Sequence, residues 1–136
     1  MTYATMRSAS ALYRQTSAQG RVEVADRHCL IGMLYDGLVD RINQAAGHIR
    51  HGDVAAKGES FAKAIAIVGE LRESLDHGVD PALTGRLDAL YNYLTQRLLH
   101  AQLNDDLHVL NACLHLIEPL REAWQGIRAE YLAGKD

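Results

Sequence analysis

Asp26-Arg27-His28-Cys29-Leu30-Ile31-Gly32-Met33-Leu34-Tyr35-Asp36-Gly37-Leu38 opens the segment that decides the fold, and the segment runs on to Gly52. Asp26 has the chemistry of an N-cap, a short carboxylate able to accept from the amides of a first turn. Behind it Leu30, Ile31, Leu34, Leu38, Ile42, Ala45, Ala46 and Ile49 return at steps of three and four. That spacing lays one apolar face along a long helix. His48, Arg50 and His51 fill its last turn, where the open carbonyls favour positive charge. Gly52 can then take the left-handed backbone that ends a helix.

The same grammar repeats outward from this segment. Asp53 can cap a second helix at once, with Phe61, Ala64, Ile65, Val68, Leu71 and Leu75 as its stripe. The pattern stops at His77-Gly78-Val79, a loop by composition. Asp80-Pro81 reads as an N-cap with proline in the first helical position. Leu83, Leu87, Leu90, Tyr91, Leu94, Leu98 and Ala101 carry the third stripe. Asn104 or Asp105 is expected to start a last helix through Leu110, Cys113, Ile117 and Trp124 to about Leu132, ended by Gly134. Pro119 inside it predicts a kink near Glu118, with the helix resuming beyond. Residues 1–21 are polar and rich in Ser and Ala, an arm in which Tyr3 to Arg14 could form a short helix. No segment alternates with period two. The predicted fold is all-α, an antiparallel up-down four-helix bundle with a short N-terminal helix or arm. It forms a single domain over 1–136, with the arm at 1–21 and the bundle at 22–133.

Composition fits that reading and closes off several functions. The chain has 136 residues, 48% hydrophobic and 23% charged, enough apolar material for one ordinary core. The net charge is −3 and the basic residues are scattered, so neither a nucleic acid nor a polybasic membrane contact is expected. No apolar stretch follows the first residues and no run approaches a membrane span, so no membrane insertion is expected and the expected location is cytoplasmic. Cys29 and Cys113 fall in apolar periodic segments and read as reduced core thiols.

Candidate catalytic groups are weak. Ser60-Phe61-Ala62-Lys63 matches Ser-x-x-Lys, but its companion motifs are absent, and the pair reads as two solvated side chains. His48 and His51 share a helical face without a carboxylate or thiolate at ligand spacing; His100, His108 and His115 spread over two helices. A small metal-linked helical enzyme is thus the weaker rival, and no metal, cofactor or catalysis is expected. Asp105-Asp106 fits a helix start, where acids complement the dipole.

Three features point to binding instead. Asp36-Gly37 stands mid-helix, where Gly costs about 1 kcal/mol relative to Ala; either a neighbouring helix approaches closely there or a partner's backbone does. Tyr91 and Tyr93 point to opposite sides of one helix, so one of them leaves the core. It is either a snorkelling surface residue or part of an interface with Arg97. The last helix also carries two apolar stripes, Leu110, Leu114, Ile117 and Trp124, and Val109, Cys113, Leu116, Leu120 and Ala123. The surplus must face the arm, a second copy of the chain or a client. A bundle that only self-associates is the main alternative to a client-binding protein.

Leu30-Ile31-Gly32-Met33-Leu34-Tyr35-Asp36-Gly37 resembles the Leu-Ile-x-Met-Leu-Tyr-Asp-Gly of the flagellar export chaperones specific for flagellin, the FliS-like family. Tyr13, Val22, Ala25 and Asp26 fit that family's lead-in. Lys63-Ala64, Ile67-Val68, Glu70-Leu71 and Ser74-Leu75-Asp76 are similar to its second long helix. Leu90-Tyr91 with Tyr93, Arg97-Leu98 and Ala101 resembles its third, and Leu120-Arg121-Glu122-Ala123-Trp124 its closing motif. Arg27 stands where the family often has proline. The resemblance implies a client, the C-terminal segment of flagellin, held against premature polymerisation and delivered to the export apparatus. Export-gate components or a flagellar regulator are the further partners it implies. Ile31, Leu34, Tyr35, Leu38, Tyr91, Leu94 and Leu98 are expected to line or underlie the groove. Arg97 would stand at the rim, and Tyr13 would occupy the groove when the client is absent.

Overall fold

Four helices run Gly20–His51 (α1), Val54–Glu73 (α2), Pro81–Asn104 (α3) and Leu107–Ala133 (α4) in the computed structural model. The model describes the backbone of residues 20–133 and the side chains of 27–127, 129 and 130. There is no strand among the described residues. The expected helix around Tyr3 to Arg14, and Gly134 as a terminator, lie outside them.

The turns follow the residues that specify them. Gly52 takes φ 70°, its amide bonds the Ile49 carbonyl, and the Asp53 amide bonds the His48 carbonyl. This pairing closes a helix through a left-handed residue. Asp53 then accepts from the Ala56 amide at 3.1 Å and caps α2. Asp80 caps α3 through the Leu83 amide at 3.2 Å, with Pro81 behind it.

Two boundaries differ from the sequence expectation. α1 begins at Gly20, so Asp26 is an internal helical residue and not its cap. Arg21-Val22-Glu23-Val24-Ala25 holds no helix breaker, and once a nucleus exists each added residue gains a hydrogen bond. Likewise neither Asn104 nor Asp105 starts α4. α3 continues through Asn104, Asp105 takes the left-handed conformation at φ 49°, and Asp106 accepts from the Val109 amide at 3.0 Å as the N-cap. Lys57 supports that turn from α2 by pairing with Asp105 at 2.7 Å and donating to the Gln102 carbonyl. Pro119 does not end α4. Pro119 and His115, whose carbonyl loses its amide partner to the proline, are both exposed residues.

Cross-links fix the direction of the helices. Lys57 meets Asp105 while Arg72 grips Asp88 through two nitrogens, so α2 and α3 run antiparallel. His28 meets Trp124 while Asp36 meets Arg121, so α1 and α4 do the same. Each helix packs on its two neighbours in a ring, leaving α1 diagonal to α3 and α2 diagonal to α4. Inside lie Leu38, Ile42, Phe61, Leu71, Leu94, Leu98, Leu110 and Ile117, all under 2% exposed. Burying a side chain of that size contributes about 1.5–3 kcal/mol.

Candidate binding surface

Seven of the residues expected at a groove sit inside the bundle. Ile31, Leu34, Tyr35, Leu38, Tyr91, Leu94 and Leu98 all belong to one buried cluster, the most exposed being Ile31 at 8%. Tyr35 on α1 and Tyr91 on α3 reach across the diagonal and share a 2.6 Å hydrogen bond between their hydroxyls. Each phenol supplies the partner the other needs in the absence of water. Burial raises both above the ordinary phenol value; for Tyr35 the shared bond partly opposes that rise, while for Tyr91 it adds to it. Arg97 is half-buried. It stands near enough to Cys113 on α4 to favour the thiolate, although burial dominates and pushes that thiol up to about 11. Tyr13 lies outside the described residues.

The mid-helix Asp36-Gly37 gains a partial explanation. Asp36 lies 3.3 Å from the Arg121 Nε, an ion pair between α1 and α4 that is not aligned as a hydrogen bond. Gly37 is half-buried and lines a cavity of about 270 Å³ with Met33, Asp36, Asp40, Arg41, Gln44 and Ile67. The closing motif is structural as well. Trp124 donates to the His28 carbonyl at 2.9 Å and stacks on the His28 ring, centroids 4.7 Å apart. Its indole packs beside Gly32, where a β-carbon would sit 3.7 Å away.

The chemistry-bearing motifs disperse. Ser60 is buried at 5% exposure and not solvated as expected; it lies four residues before Ala64 on the core stripe. Lys63 pairs instead with Glu59 along the surface. His51 bonds the Gly47 carbonyl at 2.7 Å, and His100 lies 3.5 Å from Asp106. No group of three or more metal-ligating side chains gathers among the described residues. Cys29 and Cys113 are both free, Cys113 buried and Cys29 half-buried. No described helix is long and apolar enough to cross a membrane.

What the bundle leaves open is an apolar seam. On α4 the core takes residues from both expected stripes, namely Val109, Leu110, Cys113 and Ile117. Leu116 and Ile127 remain 39% and 49% exposed, and half-buried Leu120 with exposed Ala123 completes their row at steps of four, three and four. On α3, Leu83, Arg86, Leu90, Tyr93 and Arg97 form one row at steps of three and four. Asp88, on the other flank of α3, pairs with Arg72 of α2, so this row lies on the flank away from α2 and toward α4. Leu83 and Tyr93 are 46% and 50% exposed. Tyr93 is thus the tyrosine that leaves the core. Sequence reasoning found the surplus on α4 but did not set Leu116 and Ile127 apart as the members left outside. That division depends on which way α4 is rotated against α3, which a single helix's periodicity does not contain.

A four-helix bundle with an apolar seam left open along one helix pair is the class the fold defines. The chain belongs to the family of the flagellar protein FliS, whose family model matches residues 9–131. It is 36% identical over 115 residues to the flagellar secretion chaperone FliSB of Pseudomonas aeruginosa, covering 85% of this chain and 91% of that one. It is 36% identical to the flagellar secretion chaperone FliS of Salmonella typhimurium, covering 85% and 86%. The flagellar secretion chaperone FliS of Bacillus subtilis is 32% identical, covering 82% and 84%.

Proposed function

We propose that this chain is a cytoplasmic flagellar secretion chaperone that holds the C-terminal segment of flagellin, disordered when free, and passes it to the export apparatus. The observation that carries this reading is the seam between α3 and α4, where Leu83, Tyr93, Leu116 and Ile127 stay substantially exposed on a bundle whose core is already complete. A client folding on such a surface buries apolar area as it orders, typically about 1,000–3,000 Å². Ile31, Leu34, Tyr35, Leu38, Tyr91, Leu94 and Leu98 form the floor that holds the seam's shape, and Arg97 meets a client carboxylate or carbonyl at the rim. Tyr13 and its arm cover the seam when no client is present.

Titration calorimetry against a peptide from the C-terminus of the host's flagellin tests the proposal. Submicromolar binding with a large negative heat-capacity change is expected. No heat at several temperatures, from folded protein, would overturn it. A tight dimer by light scattering in the absence of client would favour self-association instead.

A further inference from the structure

Short of Glu130 at the end of α4, the seam's charge is one-sided. Arg86 is exposed and Arg97 half-buried, both on the α3 row, and neither makes an ion pair or hydrogen bond among the described residues. Lys57, Lys63, Arg72 and Arg121 all have carboxylates within the fold. The nearby acids are turned elsewhere. Asp88 is held by Arg72 on the α2 side, and Glu118 leans on Arg121, which faces Asp36 of α1. The outward row of α4 runs Ala112, Leu116, Pro119, Ala123 and Gly126 without charge, and the exposed Glu130 follows only at its C-terminal end. Among the described residues, a chain of net charge −3 thus leaves Arg86 and Arg97 unpaired along its apolar seam. They stand three turns apart on α3, about 16 Å along the axis.

We infer that Arg86 and Arg97 set the register of the bound segment by pairing with two client carboxylates about eleven residues apart on one edge of an amphipathic helix. The inference rests on the reading of the seam as the client surface. Its apolar row supplies adhesion wherever an apolar stripe lands, because such contacts are not directional. Two fixed guanidinium groups discriminate, because a client shifted by one turn leaves both carboxylates unpaired.

Two synthetic amphipathic peptides of one composition test this, one with its Glu pair eleven residues apart and the other with the pair one turn apart. The wild-type protein is expected to bind the first about tenfold more tightly at low salt, with the advantage shrinking in 1 M salt as screening sets in. The R86Q/R97Q protein is expected to bind both alike, and R86K/R97K to recover part of the preference. Thermal melts of each variant show that the bundle is intact. Equal binding of the two peptides to wild type would overturn the inference. The host's flagellin C-terminal peptide separates the two readings. If L116E loses it and R86Q/R97Q binds it as wild type does, the client surface stands and the charge register falls. If wild type does not bind it at all, the client reading itself falls.

Discussion

Tyr35 and Tyr91 show how a polar pair can sit in the centre of an apolar bundle without penalty, because each hydroxyl satisfies the other at 2.6 Å. Removing one leaves the other buried and unpaired. Tyr35→Phe or Tyr91→Phe alone is expected to cost about 1–2 kcal/mol in urea denaturation. The double variant should cost less than the sum, since it leaves no orphan group. The pair also fixes a pH dependence. Both phenols are raised in the folded chain, so the neutral form is the one folding favours. The stability they contribute is fully present below the unfolded phenol value of 10.0 and is lost as pH rises from there towards the folded values. Wild type should therefore lose stability above that pH more steeply than Y35F/Y91F, as read from urea midpoints. At Gly52 the backbone decides. φ is 70° and a β-carbon would meet nothing within 4 Å, so Gly52→Ala tests conformation without a clash. It should cost about 1 kcal/mol in the same assay.

At the scale of the helix, α4 depends on α1 more than its own sequence suggests. Trp124 is held by the His28 carbonyl and ring and by the space beside Gly32; Arg121 is held by Asp36. Trp124→Ala should remove about 2 kcal/mol, since the indole is only half-buried. Hydrogen exchange should show amides beyond Pro119 losing protection while those from Leu110 to Ile117 keep it; uniform loss along α4 would contradict this account. The helices themselves were legible because their stops are written in local chemistry: Gly52, Asp53 and Asp80-Pro81 act within a turn of where they stand. Asp26 misled because a carboxylate caps only where the chain before it is not helical, and residues 21–25 permit a helix. Asp105 misled for the complementary reason. Its left-handed φ is supported from a distant helix by Lys57, which no local reading of residues 104–106 contains.

At the scale of the whole molecule, the residues named from sequence and the residues exposed by the fold divide into two layers. The named stripe on α1 and α3 was recognisable by period and by family resemblance, yet both signals mark a position without saying whether it faces inward. Packing supplies that answer: Leu94 is fully buried and Leu116 is 39% exposed. The two layers should respond oppositely to substitution. Leu94→Ala deletes core volume and is expected to destabilise the bundle by about 3 kcal/mol. Client affinity should then fall only as far as the folded fraction falls. Leu116→Glu changes a surface position and should leave stability within about 0.5 kcal/mol. A carboxylate placed in the apolar seam must be desolvated by any apolar segment that docks there, so binding of the flagellin peptide should weaken tenfold or more. Calorimetry on the two variants beside their urea curves reads both quantities. If Leu116→Glu binds as wild type does while Leu94→Ala, still folded at the assay temperature, loses the client, the contact layer lies at the buried stripe. The bundle would then have to open along α1 and α3 to admit its partner.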